Sequence, residues 1–130
     1  MDDIYREQIL DHARHPRNFG HLPAPTVVRE ERNPLCGDQI RLELAIADDV
    51  ITDVRFTGRG CAISQASASL LTEAIKGKSV AEAKQFSKDD LLELIGIPLA
   101  HNPTRLKCAL LSLKALKAGL YGVDHEDEDI

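Results

Sequence analysis

The stretch Gln39-Ile40-Arg41-Leu42-Glu43-Leu44-Ala45-Ile46-Ala47-Asp48-Asp49-Val50-Ile51-Thr52-Asp53-Val54-Arg55-Phe56 decides the fold. Ile40, Leu42, Leu44 and Ile46 alternate with Arg41 and Glu43, the period-two pattern of a strand with one covered face. Asp48-Asp49 marks a tight polar turn, and Val50, Thr52, Val54 and Phe56 repeat the alternation on a return strand. Upstream, Thr26 to Glu31 reads as an edge strand. The result is a three-stranded antiparallel sheet whose apolar face must be covered.

Helices supply the cover. Asp2 to Arg14 sets Ile4, Tyr5, Ile9 and His12 near one stripe of a short amphipathic helix, which His15-Pro16 stops because the residue before proline disfavours the helical region. Pro23 and Pro25 keep the following chain extended. Ala62 to Lys76 carries Ile63, Ala66, Leu70 and Ala74 at helical spacing and ends at Gly77. Ser79 and Ser87 each precede an acidic residue by three positions, the capping-box arrangement that opens two further short helices. Asn102-Pro103 supplies an N-cap and first-turn proline for a long last helix with the stripe Leu106, Ala109, Leu110, Leu113, Leu116 and Leu120. Strands come first and most helices later. That order predicts an α+β fold with helices on one sheet face, an N-terminal helix first and a long C-terminal helix last.

At 130 residues, 43% apolar and 28% charged, the chain has material for one core and no more. Residues 1–123 are expected to form a single domain. The balance is sixteen Lys plus Arg against twenty-one Asp plus Glu, and five of the acids (Asp124, Glu126, Asp127, Glu128, Asp129) lie in segment 124–130. Without them the count is sixteen against sixteen. The domain therefore has no broad basic footprint for nucleic acid, and 124–130 is expected to be a disordered acidic tail. No apolar run approaches the roughly 20 residues that span a bilayer, and the first twenty residues lack the apolar segment of a secretory signal. The expectation is a cytoplasmic protein with reduced thiols.

Two phosphate-loop matches collapse. Lys76-Gly77-Lys78-Ser79 would place the first glycine of its motif at Thr72, within a helix, and Gly58-Arg59-Gly60 has Ile63 where the third glycine belongs. The glycines around Arg59 more simply let the backbone turn sharply into the next helix.

The three cysteines carry the chemistry. Cys36 lies in the polar turn Asn33-Pro34-Leu35-Cys36-Gly37-Asp38, Cys61 opens the helix after the return strand, and Cys108 falls early in the last helix. The N-terminus of a helix presents free N–H groups and the positive end of its dipole, which favour a thiolate. Asp38 points the same way as Cys36 if the local chain is extended. Cys36, Asp38, Cys61 and Cys108 together offer the four-ligand tetrahedral set that zinc or a cluster iron accepts. Each cysteine alone also reads as a small buried hydrophobe, Cys108 most readily, and their spacing matches no compact zinc finger.

Asn33-Pro34-Leu35-Cys36-Gly37-Asp38, then Gly58-Arg59-Gly60-Cys61-Ala62-Ile63-Ser64-Gln65-Ala66-Ser67-Ala68-Ser69, then Arg105-Leu106-Lys107-Cys108, resemble the iron–sulfur cluster scaffold family that includes IscU, SufU and the N-terminal domain of NifU. The opening Tyr5 to Gly20 resembles the family's N-terminal segment, so similarity covers about residues 4–120. The resemblance implies that Cys36, Cys61 and Cys108 receive sulfur and hold a nascent [2Fe–2S] cluster or a zinc ion, with Asp38 as the fourth and weakest ligand. It also implies a cysteine desulfurase as sulfur donor and iron–sulfur proteins as acceptors, with contact through Ile4 to Ile9 and the surface around the cysteines. Three thiolates and a carboxylate around a divalent metal leave a formal −2, which Arg105 and Lys107 offset if they face the site; as solvated first-turn charges they do not.

The IscU branch carries His immediately before the third cysteine, where this chain has Lys107, and a Leu-Pro-Pro-Val-Lys chaperone motif, where it has Ile97-Pro98-Leu99-Ala100-His101. That difference argues against recognition by the dedicated chaperone. Arg105 and Lys107 are similar to SufU, the branch in which zinc occupies the site and the protein takes persulfide sulfur from the desulfurase, with Cys108 as first choice for the acceptor and Cys61 as second. The insertion that SufU carries between its second and third cysteines is largely missing. Two functions are thus implied, a cluster scaffold and a zinc-dependent sulfurtransferase.

Overall fold

The computed structural model describes residues 2–34, 37–96, 99 and 102–121, with side chains from residue 7 onward. Its elements run α1 (Asp2–Arg14), β1 (Val27–Asn33), β2 (Asp38–Ala47), β3 (Val50–Arg59), α2 (Ala62–Ile75), α3 (Val80–Lys84), α4 (Lys88–Ile95) and α5 (Pro103–Tyr121). The strands form one antiparallel sheet in the order β1-β2-β3. The expected fold class, α+β with an N-terminal helix first and a long helix last, is what the chain adopts. No helix among the described residues is long and apolar enough to cross a membrane.

Alternation along β2 does what its pattern requires. Ile40, Leu42 and Leu44 are buried on the helix side, with Val54 and Phe56 beside them from β3. The return strand departs from the expected Val50-Thr52-Val54-Phe56 alternation. Ile51 is buried and Thr52 exposed. The ladder shifts here: Ala45 faces Asp53 and Ile46 faces Ile51, leaving Thr52 as an extra residue that donates its hydroxyl to the Ala45 carbonyl at 3.1 Å. Such a bulge reverses the faces on one side of it. Asp48 and Asp49 both take positive φ, as a two-residue hairpin turn with right-handed strand twist requires.

The helices behave as their signals predict. Both capping boxes form: Ser79 and Ser87 accept from the N–H groups of Glu82 and Asp90, whose carboxylates accept in return. Asn102 Oδ1 accepts from the Arg105 N–H at 3.1 Å at the start of α5. Burial on α5 is broader than the expected stripe, since Leu111, Ser112, Ala115 and Ala118 join Ala109, Leu113 and Leu116. The helix is wedged between the sheet and α2, so two of its sides are covered. Helix α1 packs on α2, where buried His12 sets Nδ1 2.7 Å from the Ser69 hydroxyl.

Residues 15–26 tie the layers together. The Arg17 N–H donates to Ser69 Oγ, and residues 18–20 exchange backbone bonds with Phe56 along the outer edge of β3. The chain then crosses the sheet's outer face to reach Leu44 through the Thr26 N–H. On the way it covers Glu43, which accepts from the Leu22 N–H at 2.9 Å and Arg41 Nε at 3.0 Å and lies 2.6 Å from His21 Nδ1. Glu43 is thereby left only 2% exposed on the face opposite the core.

Candidate metal centre

Three elements converge at one end of the sheet. Asp38 is the first residue of β2, Cys61 the N-cap of α2 and Cys108 lies in the second turn of α5. An oxygen of Asp38 and the sulfurs of Cys61 and Cys108 all fall within 4.8 Å of one another. Asp38 and Cys108 are buried and Cys61 is half-buried, so the group opens to the surface through Cys61. Cys36, the fourth expected ligand, lies outside the described residues.

Each position has a local cause. Asp38 shares the inward parity of Ile40 and Leu42, so its side chain turns toward the helix layer. There it meets the start of α2: the Cys61 N–H donates to Asp38 Oδ1 at 3.0 Å, and the thiol donates to Oδ2 over 3.6 Å. Helix α2 has no acidic residue in its first turn and Cys61 makes no side-chain cap, so this carboxylate supplies the negative charge that a helix N-terminus favours. Cys108 is brought to the same point by the packing of α5 on α2, which the Ser67 hydroxyl fixes by donating to the Ala109 carbonyl.

Gly60 is the residue that reasoning on sequence alone undervalued. The expectation was a glycine pair serving a sharp turn. Gly60 does take a φ of 143°, but a Cβ built on it would stand 2.0 Å from Asp38 Oδ1. Its lack of a side chain makes room for the carboxylate. Gly58 serves the strand instead, since a Cβ there would come 2.5 Å from the Gln39 carbonyl oxygen of the neighbouring strand.

The remaining candidates are exposed on α5 or lie outside the described residues. Arg105 and Lys107 are exposed on the first turns of α5, and neither makes a salt bridge among the described residues. His101 and the acidic segment 124–130 lie outside the described residues, as does the Ile97-to-His101 stretch apart from buried Leu99.

Thiolate sulfur on a metal such as zinc sits near 2.3 Å, which puts tetrahedral donors about 3.8 Å apart. Donors within 4.8 Å fit such a centre after small side-chain adjustments. Two soft sulfurs and one harder oxygen suit zinc or iron and not a hard cation such as magnesium.

The chain's likeness to known proteins bears on the same residues. Residues 4–127 match the model of the NifU-like N-terminal domain. The chain is 42% identical to the zinc-dependent sulfurtransferase SufU of Bacillus subtilis, across 92% of this chain and 91% of the relative. It is 36% identical to the iron–sulfur cluster assembly scaffold protein IscU of Rickettsia prowazekii, across 89% of this chain and 88% of that one. The crystal structure of the SUF-system protein FiSufU from Fervidobacterium islandicum superposes with a TM-score of 0.76 at 32% identity, covering 91% of this chain and 97% of the other.

Proposed function

Since the chain belongs to the family of NifU-like N-terminal domains, we propose that it is a scaffold on which a [2Fe–2S] cluster is assembled with sulfur from a cysteine desulfurase and passed to acceptor proteins. The convergence of Asp38, Cys61 and Cys108 from three elements carries this reading. Cys36, Cys61 and Cys108 are the thiolate ligands of the nascent cluster and Asp38 the fourth. An oxygen among soft thiolates is the easiest ligand to displace, which suits a site that must release what it builds.

A second reading rests on the 42% identity to a zinc-dependent sulfurtransferase. The same four residues would hold zinc, which when bound keeps thiolates deprotonated and oriented. In this reading the Cys108 thiolate attacks the terminal sulfur of the desulfurase persulfide. A new S–S bond forms on Cys108, the old one breaks, and the desulfurase cysteine leaves as thiolate, with no net oxidation. Arg105 and Lys107 would temper the negative charge of the loaded site.

Purified protein separates the two. Anaerobic reconstitution with iron, cysteine and desulfurase gives visible sulfur-to-iron absorption if the chain is a scaffold; stoichiometric zinc retained under every condition sinks that reading. If the chain is a sulfurtransferase, it raises desulfurase turnover, and the rise disappears in Cys108→Ser. Metal analysis of wild type and Asp38→Ala, run beside both assays, reads the contribution of the carboxylate.

A further inference from the structure

The outer face of the sheet holds a basic groove at the same end as the metal centre. Glu30, Arg32, Gln39, Arg41, Thr57 and Arg59 line a shallow depression of about 440 Å³. Strand register sets Arg32 opposite Gln39 and Gln39 opposite Arg59, in the row next to the pair Asn33 and Asp38. Asp38 turns inward and Gln39 outward, so the groove and the cysteines occupy opposite faces of one sheet end. Three arginines share this lining with one carboxylate, a local excess of positive charge in a domain whose charges otherwise balance. Arg32 reaches Glu30 only at 3.9 Å, Arg41 commits Nε to Glu43, and exposed Arg59 makes no ion pair among the described residues. The cluster has N–H donors to spare, in the fork geometry that receives carboxylates.

Spacing and lining say which anion uses those donors. Arg32 on β1 and Arg59 on β3 stand two strand spacings apart, about 9.6 Å. A single carboxylate or phosphate group answers one guanidinium fork and leaves the other open. Small-ligand sites bury most of their ligand among apolar side chains, and this lining has none. Nucleic acid calls for a broad basic footprint, which residues 1–123 do not carry. An acidic protein segment meets the requirement. Extended, it carries residues at roughly 3.3 Å intervals, so its carboxylates can reach both arginines at once.

We propose that this groove docks an acidic segment of a partner protein, whose carboxylates bridge Arg32 and Arg59 across the sheet. The partner is held at the cysteine end while Cys61, on the other face, is left uncovered. That the docked partner also exchanges sulfur or a cluster with the cysteines rests on the function proposed above; the docking itself needs neither.

The test titrates the isotope-labelled full-length chain with octaglutamate, beside octaglutamine and inorganic triphosphate, in the absence of iron, sulfide and desulfurase. Failure of cluster assembly or sulfur transfer therefore leaves this readout untouched. Octaglutamate should move the amide resonances of residues 30, 32, 39, 41, 57 and 59, and about 0.5 M salt should weaken its binding several-fold. Arg32→Gln with Arg59→Gln should weaken binding about tenfold or more, whereas Arg14→Gln with Lys78→Gln, which removes the same charge from exposed positions elsewhere, should leave it within about twofold. Shifts that avoid the groove overturn the proposal, as does equal weakening by the two double variants. Equal binding of octaglutamine overturns it as well, and tighter binding of triphosphate at the same residues would replace the acidic segment with a small phosphate ligand.

Discussion

Asp38 and Glu43 stand on the same strand, 1% and 2% exposed, on opposite faces of one sheet. Around Glu43 the protein places a guanidinium, an imidazole and a backbone N–H, all within 3.0 Å. Burial alone would raise its pKa, yet these hydrogen bonds outweigh it and hold the carboxyl below its ordinary value. Asp38 faces the N-terminus of α2 and two sulfurs. The difference teaches how to tell a structural acid from a chemical one. Both are buried, but the partners of Glu43 surround it at hydrogen-bond distance, whereas Asp38 lies with two cysteine sulfurs that can become ligands alongside it.

The comparison can be broken at either end. The largest effect is expected from Cys108→Ser, which should abolish sulfur acceptance in a desulfurase assay while the thermal midpoint stays close to wild type. Gly60→Ala comes next. The added methyl displaces the Asp38 carboxylate, so zinc affinity by competition with a chromophoric chelator should fall about 10–100-fold, the usual cost of disturbing what orients a ligand. Glu43→Gln should leave metal binding intact and lower unfolding free energy by about 2 kcal/mol in a urea titration, because Arg41 and His21 lose the charge they surround. If Glu43→Gln weakens metal binding as much as Gly60→Ala, the distinction between the two acids fails.

The smallest effect is a slope with pH. Burial first, then the Arg17 charge, pushes the pKa of His12 below the ordinary imidazole value. The unfolded chain therefore takes up a proton near pH 6.5 that the folded chain refuses until lower pH. Stability is full above about pH 6.5 and declines as pH falls from there toward the folded value, a decline that His12→Gln should flatten in thermal melts. For Glu43 the sign is that of a depressed carboxyl. Its contribution is present above about pH 4.5 and fades as pH falls through the lower folded value, so its decline begins at lower pH than that of His12.

Much of this architecture is legible where the signal is local. The alternation of Ile40, Leu42 and Leu44, the serines at 79 and 87, and Asn102-Pro103 each specify their own element, and each element forms where it is expected. What escapes is set by distant parts of the chain. Nothing near Glu43 announces that residues 20–25 will cross above it, and the bulge at Thr52 depends on a ladder between two strands. The metal centre falls between these cases. Its cysteines lie too far apart in sequence for spacing to join them, so family resemblance had to suggest what packing of α2 on α5 brings about. Gly60 escaped because its meaning lies in a carboxylate on another strand.

The covering of β3 by residues 18–20 has a consequence for self-association. A sheet has two edges, and a free one is a template on which another chain can continue the ladder. Here one edge is occupied by the Phe56 bonds to Asn18 and Gly20, with Val50 bridged to Ser79. The other edge, β1, presents Arg29-Glu30-Glu31-Arg32, four charges in a row. Neither edge offers a stranger an uncharged, unoccupied strand, so the fold can keep a half-open thiol at one end without inviting fibril-like stacking along its sides.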